Sequence, residues 1–388
     1  MMNYRFTTTL ILVLIFSNLF GQKKDETNKQ DSTKVYSNGE KYNVKIYRQN
    51  FKSEKPKKVI LMIADGMGLA QICAGLTANS GHLFLENFKA IGFSKTHSSD
   101  RYITDSAAGA TALSAGVKAY NGAIGVTVNS KGDTIPVKTI LEMAEEKGLA
   151  TGLVSTSSIT HATPASFIAH QTSRDYDEAI AMDFMDTDID VFIGGGYKFF
   201  AKRSDNEDLT LKLEKKGYKV LQSMDQIAKV KSGKLAGLTA YEDNKPFPNR
   251  EMDLPLSTRT ALNILDNNKD GFFIMVEGSQ IDWGSHNNNI TYTVNEMLDF
   301  DRAIGEALEY ASKDGETLIV VTADHETGGL ALTGGDIDKG IVRGNFGTKG
   351  HTGIMVPIFA YGPGANEFTG IMENTEIAKK IMMLLDLK

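Results

Sequence analysis

Three apolar runs of this chain stop at an acid. Residues 59–64 run into Asp65, residues 272–276 into Glu277, and residues 318–323 into Asp324. Ligands of open α/β sheets bind beyond the carboxyl ends of the strands, so these endings place three carboxylates along one candidate edge. Histidines fall beside them. His325 follows Asp324, Asp282 and His286 stand four apart just after Glu277, and His351 lies in Gly350-His351-Thr352-Gly353. Carboxylate and imidazole together make a zinc-type donor set. A hydroxyl stands apart from them. Ser106, in Asp105-Ser106-Ala107-Ala108-Gly109, opens a run of small residues that predicts a tightly packed helix. Its side chain would sit at a helix N-terminus, where free N–H groups and the dipole favour an anion. Taken alone, such a serine reads equally well as a helix cap. His82, His97 and His170 have no such neighbours in the sequence and read as structural.

Residues so far apart need a scaffold that returns them to one edge. Residues 59–63, 152–154, 191–193, 272–276, 318–321 and 356–360 are short, unbroken apolar runs. Continuous rather than alternating runs are expected of parallel strands covered on both faces. Helical patterns lie between them. Residues 137–147 end at Gly148, a candidate C′ glycine. Thr293 and Glu296 are spaced as a capping box ahead of Met297, Phe300, Ile304, Leu308 and Ala311. Asn374 is placed to cap a last helix that runs through Leu385. The alternation predicts an α/β fold, a three-layer sandwich with a central, mostly parallel β-sheet flanked by helices. Residues 201–250 are more polar and read as surface elaboration rather than a second domain.

The first residues carry a different signal. Arg5 precedes the apolar run Leu-Ile-Leu-Val-Leu-Ile-Phe at 10–16, and the chain turns polar at Gln22. That is the pattern of a secretory signal, here 1–21, and the run is short for a membrane span; an uncleaved anchor is the alternative. Residues 22–57 read as a polar, partly disordered lead-in, and 58–388 as one catalytic domain. The expected location is periplasmic or secreted. The formal net charge of −6 argues against a nucleic-acid-binding surface, which needs a basic footprint. Cys73 is the only cysteine, so no intramolecular disulfide can form; packing, with any bound metal, must supply stability.

Together these motifs resemble the alkaline phosphatase family. Ile63-Ala64-Asp65-Gly66-Met67-Gly68 is similar to its first metal motif, and Asp105-Ser106-Ala107-Ala108 to its phosphoserine motif. His161-Ala162-Thr163-Pro164-Ala165 and Thr172-Ser173-Arg174 resemble the segments bearing a third-metal threonine and a phosphate-binding arginine. Val276-Glu277-Gly278, Ile281-Asp282, His286, Thr322-Ala323-Asp324-His325 and His351-Thr352-Gly353 complete the set. The resemblance implies two zinc ions, one on Asp282, His286 and His351, the other on Asp65, Asp324 and His325 with Ser106 at its open position. It implies a magnesium on Asp65, Thr163 and Glu277. The implied reaction is hydrolysis of small phosphomonoesters through a phosphoserine on Ser106, with Arg174 gripping the phosphate; a homodimer is possible by the same resemblance. Two positions depart from many bacterial members, His161 where they have Asp and Trp283 where they have Lys. Both side chains would face the substrate, and magnesium affinity would suffer. Only 25 residues separate His325 from His351, so an elaboration seen in larger relatives should be reduced or absent. A related phosphodiesterase or sulfatase, and a non-catalytic secreted binding protein of the same fold, are the competing readings.

Overall fold

The computed structural model describes Met1, Asp31, residues 33–49 and residues 51–387. The expected secretory signal lies outside the described residues. The compact unit Ser32–Lys388 is built on a ten-stranded sheet. Its strands are β1 (Lys58–Ala64), β2 (Ala90–Lys95), β3 (Ala150–Ser158), β4 (Val191–Gly195), β5 (Lys219–Leu221), β6 (Leu235–Leu238), β7 (Phe272–Gly278), β8 (Thr317–Thr322), β9 (Val356–Tyr361) and β10 (Gly370–Glu373). Their spatial order is β10-β2-β9-β8-β1-β7-β3-β4-β6-β5. Only β9 runs against the others, antiparallel to both β8 and β2.

Each central strand serves two cores. In β1, Val59, Leu61 and Ile63 enter one buried cluster, and Ile60, Met62 and Ala64 enter the other. This is the period-2 alternation of a strand whose two faces are both covered, which is why its sequence is apolar throughout. The helices used below are α1 (Leu69–Ala78), α2 (Ser106–Ala115), α3 (Ile140–Glu146), α4 (Leu254–Leu265), α5 (Gln280–His286), α6 (Ile290–Asp314) and α7 (Asn374–Leu384). Helices α4 and α6 cover one face through Ala261, Leu265, Val294, Met297, Ile304 and Leu308. Helices α2, α3 and α7 cover the other through Ala107, Leu113, Ile140, Ala144, Ile377 and Ile381. The three-layer sandwich is as expected.

Register brings the acids to one edge. Ile63 of β1 is flanked by Glu277 on β7 and Thr322 on β8, and Ala64 by Gly278. Asp65 and Asp324 therefore leave their strands at the level of Glu277.

Five expectations need correction. Residues 201–250 are not mere surface elaboration: β5 and β6 extend the sheet beyond β4, and all four residues of β6 are buried. These strands are too short to stand out from their polar flanks. Helix α6 begins at Ile290 with Asn289 as its cap, accepting from Tyr292 N at 3.0 Å, so Thr293 and Glu296 lie inside the helix. Helix α3 begins at Ile140, three residues after the expected start, behind a capping box between Thr139 and Glu142. Asn374 is the first residue of α7, and Glu373 is its cap. The lead-in also joins the body well before residue 58. Val35–Tyr36 pairs with Ile341–Phe346, Tyr36 and Tyr47 are buried, and Tyr42 Oη donates to Asp301 Oδ2 at 2.6 Å. The short interval between His325 and His351 holds a hairpin, Leu330–Asp336 with Ile341–Phe346.

Glu296 has a different role from the expected cap. It is 2% exposed and accepts two bonds from Arg250 Nη1, at 2.9 and 2.7 Å, while Arg250 Nη2 bonds Asp299. Removing the arginine would leave two carboxylates buried without a cation. Arg250→Ala is expected to lower the unfolding free energy by about 3–5 kcal/mol. Urea denaturation checks this; a loss below about 1 kcal/mol would place the site in the range of exposed pairs.

Candidate active site

Asp105 caps α2 through its side chain, with Oδ1 accepting from Ala108 N at 3.0 Å. Ser106 is the first residue of that helix and is buried, with Oγ 3.3 Å from His325 Nε2. The small residues after it have a steric cause. A Cβ on Gly109 would lie 3.0 Å from Asp324 Cβ, so glycine at that position lets α2 rest on the end of β8 without displacing Asp324. Gly66, at φ +79°, lets β1 turn sharply, and a Cβ there would lie 2.7 Å from Asp282 Cα.

Two donor groups form beyond the strand ends. In the first, Asp282 and His286 project from one face of α5 at i, i+4, and His351 reaches in from a two-residue strand. Asp282 Oδ1 lies 3.2 Å from His286 Nε2 and 3.6 Å from His351 Nε2. The two Nε2 atoms are 3.1 Å apart. His286 Nδ1 faces Lys349 O, and His351 Nδ1 faces Thr104 O at 2.9 Å. A carbonyl can only accept, so both Nδ1 atoms carry hydrogen, and in the neutral rings both Nε2 lone pairs face each other. A proton or a cation must lie between them.

In the second group, His325 Nε2 is 3.5 Å from Asp65 Oδ1 and 3.2 Å from Asp324 Oδ2. Thr327 Oγ1 donates to Asp282 and so accepts from His325 Nδ1 at 3.2 Å, which turns the Nε2 lone pair toward the carboxylates and Ser106. Glu277 stands beside Thr163, with Oε2 accepting from Ser155 Oγ at 2.5 Å. In each of the two groups the donor atoms lie within 4.8 Å of one another.

The charges are hard to reconcile with protein alone. Burial, then Asp324, Asp282 and Glu277, push Asp65 well above the carboxylate range. Burial, then Asp282 and Glu277, push Asp324 up to about 7. Burial raises Glu277. Burial works against ionisation of Asp282 too, but the His286 hydrogen bond and the His325 and His351 rings hold it below its ordinary value. Both oxygens of Asp65, Glu277 Oε1, Thr163 Oγ1 and Asp324 Oδ2 are buried without a hydrogen-bond partner. Each unsatisfied group costs about 1–3 kcal/mol, and more when charged. Oxygen and imidazole donors left open toward a common centre fit cations.

Arg174 lies at the mouth. Its Nη1 donates to Asp105 Oδ2 at 3.1 Å and its Nη2 to His161 Nε2 at 3.2 Å. Burial, then Arg174, hold His161 down to about 3, so it is a neutral acceptor. Trp283 is half-buried and packs edge-to-face on His161, with centroids 5.7 Å apart, so the two variable positions are in contact.

Every sequence-predicted site residue thus gathers at this edge. His82 and His97 face Glu86 and Glu373 at the surface, and His170 is held between Gly125 O and Glu142. Several supporting residues were not foreseen. Glu326 accepts from Gln71 Nε2 at 2.9 Å and from Thr352, binding the Glu326–Thr327 strand to His351–Thr352. Its place directly after Asp324-His325 was the available signal. Ser155, Ser157 and Ser279 form a hydroxyl cluster beside Glu277, signalled by the polar run 155–158 inside a wholly buried strand.

The sequence model of the alkaline phosphatase family matches residues 56–341 and 342–387. The chain belongs to the alkaline phosphatase family. It is 36% identical to alkaline phosphatase 3 of Bacillus subtilis, over 85% of this chain and 89% of that one. The solved alkaline phosphatase of the Antarctic bacterium TAB5 superposes with a TM-score of 0.80 at 44% identity, covering 86% of this chain and 99% of that one. A TAB5 structure with one histidine changed to aspartate, carrying Mg in its M3 site, matches over the same shares, at 0.80 and 43%.

The raised acids make a pH prediction for the metal-free protein. Asp65, Asp324 and Glu277 bind protons more tightly folded than unfolded. Their contribution to stability is then largest at acid pH and falls as pH rises from the unfolded carboxylate range toward about 7. Thermal unfolding of the chelated protein and of its Asp324→Asn variant isolates this contribution: the variant should gain stability over the wild type as pH rises through the interval, and a gap that stays constant with pH would contradict the charge assignment.

Proposed function

We propose that the chain hydrolyses phosphomonoesters to phosphate and an alcohol through a phosphoserine on Ser106. The observation that carries this is the buried Ser106 hydroxyl at the N-terminus of α2, beside a set of open buried donors. Asp282, His286 and His351 would hold one zinc, and Asp65, Asp324 and His325 a second, with Ser106 at its open position. Asp65, Thr163 and Glu277 would hold magnesium, a metal that prefers oxygen donors and keeps several waters. When bound, the metals supply positive charge for the phosphoryl oxygens and lower the pKa of hydroxyl and water.

The protein's part is position. Ser106 Oγ forms a bond to phosphorus as the bond to the leaving alcohol oxygen breaks, and water then displaces Ser106 from the phosphoserine. Arg174, already anchored by Asp105, presents its planar fork to two non-bridging oxygens. The positive end of the α2 dipole lies at Ser106, where it favours the same anion. Ser106→Ala should abolish trapping of labelled phosphate on the protein and lower turnover by orders of magnitude. Label recovered on another residue of the variant would refute the assignment. Comparing an aryl monoester, a diester and a sulfate ester tests the substrate class, with the monoester expected to turn over fastest.

His161 tunes the magnesium position. It brings no negative charge, and its Nε2 is occupied by Arg174. A TAB5 variant with aspartate in place of a histidine carries Mg in its M3 site, and the same type of exchange at position 161 tests this reading. His161→Asp with Trp283→Lys should tighten phosphate inhibition and reduce the requirement for added Mg²⁺. If the folded double variant changes neither quantity, these positions do not tune the site.

The secreted or periplasmic location belongs to the same proposal and rests on Arg5, the apolar run at 10–16 and the polar turn at Gln22. N-terminal sequencing of protein from the cell envelope or medium should begin near Gln22; an intact Met1 would contradict cleavage.

A further inference from the structure

His170 makes two hydrogen bonds that a neutral imidazole cannot make together. Its Nδ1 is 2.7 Å from Gly125 O and its Nε2 is 2.9 Å from Glu142 Oε1. One partner is a carbonyl and the other a carboxylate, and both only accept. A neutral ring has one N–H, so the two contacts require the doubly protonated ring. Asp183 is the other acid facing it, accepting from His170 N at 3.1 Å and from Gln171 at 2.8 Å. Glu142 is held in turn, since its Oε2 accepts from Thr139 N at 2.7 Å in the capping box of α3.

The clamp lies directly behind Arg174. Ile124 and Gln171 exchange two backbone bonds of 2.9 Å, and Arg174 N donates to Gly122 O at 2.8 Å. Gly122 N donates to Asp105 Oδ2, the oxygen that also holds Arg174 Nη1. The strap 122–125 therefore fixes both the backbone and the guanidinium of Arg174, and the His170 ring bolts that strap to the start of α3. Gly125, at φ +56°, lets the strap pass this close: a Cβ there would be 2.1 Å from Ala169 O and 2.9 Å from His170 Nδ1.

We infer that His170 is a positioning residue for Arg174, holding the phosphate-binding fork in place as an imidazolium and loosening it when the ring loses a proton. This rests on the proposed role of Arg174. Its direct partner Glu142, ahead of opposing burial, raises the ring's proton affinity. The clamp is then intact while the ring keeps both protons and is released as pH rises through the raised value, so phosphate is held less firmly once the ring is neutral.

The test uses the metal-loaded enzyme with isotope-labelled histidine, in which His170 is one of seven rings and is assigned by its loss in His170→Gln. Its NMR signal should be that of an imidazolium near neutral pH and titrate above the ordinary histidine value. Inhibition by inorganic phosphate should be several-fold weaker in His170→Gln than in the wild type near neutral pH, and the gap should close in the alkaline range. A neutral ring below neutral pH, or equal phosphate inhibition at neutral pH, overturns the inference. If His170→Gln does not fold, Glu142→Gln replaces it and should lower the His170 titration midpoint; an unmoved midpoint is equally fatal. The titration needs no turnover, so absence of monoesterase activity would remove the functional proposal while still reading the ring's charge.

Discussion

Four carboxylates and three imidazoles crowd one edge of the sheet, and the burial of that many acids together is the constraint on which the rest of the structure depends. Asp65, Glu277, Asp282 and Asp324 are all buried, and each of the three raised acids is pushed up first by that burial. An unliganded cluster of this kind destabilises the fold, and positive charge placed among the acids reverses the sign. The surrounding structure prepares for such charge. Lys349 O, Thr104 O and Thr327 Oγ1 each occupy the Nδ1 side of one histidine, leaving Nε2 for the centre. Ser155 takes one oxygen of Glu277 and leaves the other open.

The sheet makes this concentration of charge possible. Parallel strands end at the same side, and the register of β1 with β7 and β8 sets the acids level with one another. Two apolar cores, one on each face, hold that register against electrostatic repulsion at the edge. The close approaches are made by glycines. Gly66 and Gly109 let Asp282 and Asp324 come within the distance of a missing Cβ.

Much of this was legible before any coordinates. Apolar runs that end in Asp or Glu are a local pattern, and parallel topology converts it into proximity. Asp282 and His286 share a helix face by spacing alone. Other features depended on partners distant in sequence. Glu296 looked like a cap because Thr293 precedes it by three, but Arg250 claims it across a 46-residue separation, and Asn289 takes the cap. The edge strands β5 and β6 were hidden because short runs in polar surroundings carry little periodic signal. His170 was read as structural, and its bonds to Gly125 and Glu142 connect 45 and 28 residues along the chain, beyond the reach of any local motif.

The central claim is that this edge is a cation-binding centre built around Ser106. Anomalous diffraction at the zinc edge, from crystals of the enzyme with bound phosphate, addresses it most directly. Two zinc peaks are predicted, one among Asp282, His286 and His351 and one among Asp65, Asp324 and His325, with phosphate between them and Arg174. Phosphate bound beside Ser106 with no metal at either group, or zinc found only elsewhere on the molecule, would contradict the account.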